Sequence, residues 1–262
     1  MIVGSFAAAT TFTLINTCAY TVWPGISADA GQPLLAQGGL ALSPGQSAQL
    51  PAPPGWSGRF WGRTGCAFDG ATGRGSCETG DCGGVLECAG AGGSPPITLA
   101  EFTLGQKDFY DVSLVDGYNV GVSVSADGGD RTTTTTMSGG SGSGSVDTTP
   151  PCANAGCGGG PAGAGAGNDD RLLMGGLCPA DLIQTDSGGR VVACRSACEA
   201  FAQPQYCCTG AFSTPQTCGP SSYSRLFKSA CPSAYSYAYD DPSSTFTCSG
   251  ASGYTITFCP TS

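Results

Sequence analysis

Histidine is absent from this 262-residue chain, and lysine occurs only twice, as Lys107 and Lys228. Without histidine there is no Ser-His-Asp triad, no Cys-His dyad and no imidazole ligand for zinc or haem. Charge of either sign is scarce. Asp, Glu, Lys and Arg make up 11% of the residues, against roughly 25% in an ordinary soluble protein. The balance of 19 acidic and 10 basic side chains, net −9, has the wrong sign for nucleic acid or an anionic membrane surface. No apolar run approaches the ~18 residues of a membrane span, and no Asn-x-Ser/Thr acceptor for N-glycosylation occurs.

Cysteine, glycine and proline are abundant instead, at 16, 43 and 18. The even cysteine count implies eight disulfides and an oxidising, extracellular setting. A zinc ribbon would need repeated C-x2-C pairs, and the chain has none. Neither a metal nor any other cofactor is expected. Residues 1–9, which end in Ala7-Ala8-Ala9, read as the remnant of a secretory leader, so the protein is expected in the extracellular space.

Alternation of apolar and polar residues dominates the pattern. Thr10 to Asn16 sets Phe12, Leu14 and Asn16 against Thr11, Thr13 and Ile15. Further strands are expected at Tyr20–Trp23, Gln49-Leu50, Arg59–Trp61, Thr98–Leu104, Phe109–Val115, Asn119–Ser125 and Tyr254–Phe258, with turns at Pro24-Gly25, Ser43-Pro-Gly45 and Asp116-Gly117. Short strands cut by Gly/Pro turns describe a mainly β, antiparallel sandwich or barrel. Helix is expected only at Ser196–Phe201 and, more strongly, Ser222–Ala230. The plan is a β-sandwich domain of residues 10–63, 97–151 and 232–262, a disulfide-rich, partly helical insert of 152–231, and a small bridged loop region of 64–96. The five-Thr run at 132–136, the SGGSGSGS of 138–145 and the glycine-rich 158–167 bury no apolar surface, so 127–151 reads as a flexible insertion. Trp23, Trp56 and Trp61 are expected to be buried. Tyr235, Tyr237 and Tyr239 alternate, as three rings on one face would.

One string stands apart: Gly73-Arg-Gly-Ser-Cys77-Glu-Thr-Gly-Asp-Cys82-Gly-Gly-Val-Leu-Glu-Cys88, a tight loop with three cysteines in twelve residues. It resembles the signature of the thaumatin-like proteins, the secreted sixteen-cysteine, pathogenesis-related type of plants. The resemblance runs from about Ala8 to Cys259 and includes Trp61-Gly-Arg-Thr-Gly-Cys66, Asp108-Phe-Tyr-Asp111, Tyr206-Cys-Cys208 and Asp240-Asp241-Pro242. Sixteen cysteines allow roughly two million pairings on counting alone. The resemblance implies one of them: Cys18–Cys259, Cys66–Cys77, Cys82–Cys88, Cys152–Cys248, Cys157–Cys231, Cys178–Cys194, Cys198–Cys207 and Cys208–Cys218.

With histidine absent and cysteine paired, acid–base chemistry falls to carboxylates, and two across a groove are the minimum for glycoside hydrolysis. A hairpin around Gly105-Gln-Lys107 would set Glu101 opposite Asp111, with β-carbons roughly 4.5–5.5 Å apart. Like charges facing one another are costly, and they hint at a site. Two solvated strand carboxylates are the alternative reading. The resemblance implies an acidic cleft of Arg59, Glu101, Asp111, Asp116 and Asp240, with Glu101 and Asp111 as catalytic candidates. Asp111 and Asp116 are an odd number apart, so they converge only where the chain bends near Asp116-Gly117.

The function implied is that of a secreted, antifungal plant defence protein, a monomer that binds β-1,3-glucan and leaves weak endo-β-1,3-glucanase turnover open. A membrane-permeabilising antifungal and an inhibitor of a microbial hydrolase, acting through the 132–145 segment, are the alternatives.

Overall fold

A computed structural model describes residues 9–129, 152–157 and 177–260. Residues 1–8, expected as a leader remnant, the Thr and Ser/Gly runs of 132–145 and the glycine-rich 158–167 lie outside the described residues. Two five-stranded sheets face each other. The first contains β1 (Thr10–Asn16), β3 (Ser47–Ala52), β9 (Val122–Gly128), β10 (Ala155–Cys157) and β14 (Ala251–Phe258), in the order β10-β9-β14-β1-β3. The second contains β2 (Trp23–Ala28), β4 (Ser57–Arg63), β7 (Leu99–Thr103), β8 (Asp108–Ser113) and β13 (Phe246–Cys248), in the order β13-β8-β7-β4-β2. Two short hairpins lie outside the sandwich, β5 (Ala67–Phe68) with β6 (Gly75–Ser76) and β11 (Ile183–Thr185) with β12 (Val191–Cys194). The helices are α1 (Ala197–Phe201), α2 (Pro204–Cys207), α3 (Ser222–Ala230) and the single turn α4 (Asp241–Ser244). Among the described residues no helix is long and apolar enough to cross a membrane.

Strand alternation builds the core. Phe12, Leu14 and Asn16 point inward from β1, and Phe60, Ala100, Phe102, Tyr110 and Val112 point inward from the second sheet. Phe12 is the hub: its ring centroid lies 4.8 Å from those of Phe60 and Phe102 and 5.2 Å from that of Trp56, within the range of favourable edge and tilted contacts. Since the even-numbered residues of β7 and β8 fill the core, the odd-numbered ones are left on the outer face.

Four expectations change. The β1–β14 pair is parallel, with Phe12 opposite Tyr254 and Leu14 opposite Ile256, and every other strand pair in the two sheets is antiparallel. Pro24-Gly25 is not a turn. It lies inside β2, an edge strand, where a residue without an N–H is tolerated. Tyr20–Val22 precede that strand, and Val22 forms a single bridge to Leu42. Trp56 and Trp61 are fully buried, while Trp23 is half-buried on the edge.

The eight disulfides are those the family resemblance implies. Arg63, fully buried, ties the small loop region to the sheet. It donates to the carbonyls of Trp23, Val85 and Leu86 at 2.9, 2.9 and 2.7 Å, and its guanidinium sits 5.5 Å from the centroid of Phe68. Burial lowers its pKa to about 10, with the Asp81 carboxylate working against the shift. The guanidinium therefore stays charged at neutral pH.

Candidate functional site

The outer face of the second sheet is the floor of an open cleft of about 530 Å³. Its floor is a single cross-strand row. Arg59 on β4 stands opposite Glu101 on β7, and Glu101 stands opposite Asp111 on β8. The hairpin that sets this register turns at Gly105, whose N–H donates to the Asp108 carboxylate at 2.9 Å. Asp108 points inward and accepts a 2.7 Å bond from the Tyr254 phenol. A buried aspartate on one face thus closes the turn that aligns the two carboxylates on the other.

Asp116 joins them through the expected bend. Gly117 N–H donates to Leu114 O at 3.0 Å, closing a turn in which Gly117 has φ +92°, a region that strains any L side chain. A Cβ there would also approach Pro96 to 2.6 Å and Cys194 O to 2.8 Å. Glycine is therefore required twice over, and the turn reverses the parity that would otherwise separate Asp111 from Asp116.

Asp240 does not line the cleft; its neighbour Asp241 does. The Asp240 carboxylate forms a 3.0 Å ion pair with Lys228 and accepts from the backbone N–H and hydroxyl of Ser236 at 3.0 and 2.8 Å. Asp241 opens α4 and accepts a 2.9 Å bond from the Tyr235 phenol. Asp29, just after β2, also lines the cleft. The charged lining is thus five carboxylates, Asp29, Glu101, Asp111, Asp116 and Asp241, around one cation, Arg59. Neither Asp29 nor Asp241 has a local pattern that marks it. The three tyrosines of 235–239 do not share a face, because the segment is bends and turns rather than strand. Tyr235 lines the cleft, Tyr237 lines a separate hollow with Tyr206 and Tyr223, and Tyr239 donates to Ser213 O at 2.6 Å.

Crowding carboxylates on a dry floor separates their protonation states. Burial pushes Asp111 up to about 8, the facing Glu101 adds to this, Arg59 opposes it and Asp241 adds again. One oxygen of Asp111, Oδ1, is buried with no hydrogen-bond partner. Burial also raises Glu101 and Asp116, and Arg59 lowers both. Arg59 Nε lies 3.6 Å from Glu101 Oε1. Burial and the facing Glu101 thus favour the protonated form of Asp111 up to about pH 8, while Arg59 favours the charged form of Glu101, an asymmetry of the kind that acid–base pairs use. Among the described residues no cluster of His, Cys, Asp or Glu is arranged to hold a metal ion. Phe109, two residues before Asp111 on the same strand face, exposes 47% of its surface along the cleft.

Three comparisons bear on this geometry. Residues 16–260 match the thaumatin family model. A pathogenesis-related thaumatin-like protein 3.5 of Cryptomeria japonica is 56% identical over 256 residues, which is 98% of this chain and 92% of the relative. A Prunus avium protein named glucan endo-1,3-beta-glucosidase is 45% identical over 258 residues, 97% of this chain and 92% of its own. Among solved structures, a laminaripentaose-producing beta-1,3-glucanase in complex with laminaritetraose superposes with a TM-score of 0.57 at 14% identity, over 96% of this chain and 98% of the other. At that identity the likeness is one of fold.

Proposed function

The chain belongs to the thaumatin family, and from that premise we propose that it is an extracellular plant defence protein that binds β-1,3-glucan along the carboxylate cleft and hydrolyses it slowly. The observation that carries the reading is the Arg59–Glu101–Asp111 row, with Asp111 holding its proton to about pH 8. A neutral carboxylic acid donates a proton to a glycosidic oxygen, and the adjacent ionised carboxylate stabilises positive charge at the anomeric carbon or activates water. Phe109 offers an apolar face for the hydrogens of a pyranose ring. The name of the Prunus avium relative supports the same polymer. Eight disulfides support an oxidising compartment, and the acidic cleft offers nothing to anionic lipid, which weighs against direct membrane attack.

The test uses the oxidised protein and linear, insoluble β-1,3-glucan, following both retention on the polymer and release of reducing ends. Wild type is expected in the pellet. Glu101→Gln and Asp111→Asn should each lower reducing-end release by about 10²-fold or more, the range for a removed acid or base. Retention without any wild-type release would leave a binding module. Behaviour of both variants indistinguishable from wild type would remove the cleft from the function.

A further inference from the structure

The segment 234–245 carries Tyr235 and Asp241 into the cleft, yet contains no strand. At its start, Tyr235 bridges to Ser113: Leu114 N–H donates to Tyr235 O and Tyr235 N–H donates to Val112 O, both at 2.8 Å. Behind the remainder, besides the bond from Tyr239 to Ser213 O, one side chain makes three contacts. The Lys228 ammonium reaches Ala234 O at 3.0 Å, Ser244 Oγ at 2.8 Å and Asp240 Oδ2 at 3.0 Å. An ammonium has three protons, and these three contacts use all of them. Asp240 extends the grip to Ser236 through two further bonds. Residues 234, 236, 240 and 244 are therefore tied to a single point on α3. That helix is itself anchored by buried Phe227 and, just past its end, by the Cys157–Cys231 disulfide. The Lys228 and Asp240 side chains are 25% and 13% exposed, sheltered enough to hold one geometry.

We propose that Lys228 is a positioning residue for the cleft. With Asp240 it fixes the 234–245 segment so that the Asp241 carboxylate and the Tyr235 phenol stand beside Asp111 as a hydroxyl-binding pair for a glucosyl unit. The Tyr235–Asp241 bond preorganises the pair before any ligand arrives. The ligand in this inference rests on the glucan-binding reading; the positioning role does not.

Asp111 reports where Asp241 stands. The charged groups acting on it are Glu101 from β7, Arg59 from β4 and Asp241 from α4, and Asp241 raises its pKa. Displacing Asp241 must therefore lower the Asp111 midpoint. Lys228→Met combined with Asp240→Asn removes the ion pair without changing net charge, so a shift in Asp111 reads geometry rather than a lost cation. The experiment follows the Asp111 side-chain carboxyl by carbon NMR titration, assigned by its loss in Asp111→Asn, together with affinity for a linear β-1,3-gluco-oligosaccharide.

The double variant and Asp241→Asn should both lower the Asp111 midpoint and weaken the oligosaccharide about tenfold, the equivalent of one hydrogen bond to a charged group. Lys228→Arg, which keeps the charge and the donors, should stay close to wild type. A double variant that melts cooperatively with eight disulfides, yet keeps the wild-type midpoint and affinity, overturns the proposal. Should that variant not fold, Ser244→Ala removes one strut alone, and the same two readouts decide. Wild type that binds no β-1,3-glucan would sink the functional reading, while the Asp111 midpoint would still decide the role of Lys228.

Discussion

Asp111→Asn is expected to stabilise the protein at neutral pH while disabling its site. In the folded chain, burial and the facing Glu101 raise Asp111 from the ordinary 3.8 to about 8. In the unfolded chain the group titrates near 3.9. Between about pH 4 and pH 8 the folded state thus holds one proton more than the unfolded state. A folded pKa raised above the unfolded one gives stability that is complete at low pH and drains away as pH climbs to the folded value. The slope is about 1.4 kcal/mol per pH unit, so wild type loses on the order of 3 kcal/mol through this residue between about pH 5 and pH 7. Asparagine has the same shape and no proton to lose. Asp116 and Glu199 are also raised but are present in both proteins, and Glu101, which is coupled to Asp111, faces an uncharged residue 111 in both proteins below about pH 8. The assay is denaturant unfolding with the disulfides intact, at a series of pH values. The unfolding free energy of Asp111→Asn minus that of wild type should climb steadily with pH and level off above about pH 8. A difference that is flat across that window would refute the claim that the folded cleft keeps this carboxyl protonated. The expected trade is the usual one, in which a group poised for chemistry costs the fold stability.

Two further substitutions test other parts of the same account. Arg63→Met leaves the carbonyls of Trp23, Val85 and Leu86 without their donor and should cost about 3–5 kcal/mol in denaturant unfolding; a loss under about 1 kcal/mol would show that water replaces the guanidinium. Arg59→Gln should move the titration midpoints of Glu101, Asp111 and Asp116 upward together, because Arg59 lowers all three. Carboxyl NMR reads this directly, and unmoved midpoints would show that the arginine does not govern the cleft's charge.

Much of the fold is legible in local pattern. The parity of Phe12, Leu14 and Asn16 marks the inward face of β1, and the helix expected over Ser222–Ala230 has the bounds of α3. What local pattern cannot carry is partnership at long range. Cys18–Cys259 puts the two chain ends side by side, but a disulfide carries no strand direction, and β1 runs parallel to β14. Pro24-Gly25 misleads for a related reason. The dipeptide marks a turn in isolation, and only its place on the sheet edge, with Arg63 donating to Trp23 O beside it, lets it continue a strand.

The site divides in the same way. Glu101 and Asp111 follow from hairpin register, whereas Asp116 is implied by the family resemblance and joins them through the glycine that bends the chain after it. Asp240 and Asp241 are adjacent, lie outside any strand and differ in nothing that composition or parity registers. The choice between them is made by Lys228, on a helix more than two turns of sequence away, which takes Asp240 and leaves Asp241 to the cleft. Scarcity of cations gives that choice its force. With only ten basic side chains in the chain, one stands among the carboxylates, one is buried beneath the small loop region and one holds the cleft wall from behind. Each meets charge or acceptors in its own part of the fold, so where a cation is placed decides which carboxylates remain free to act.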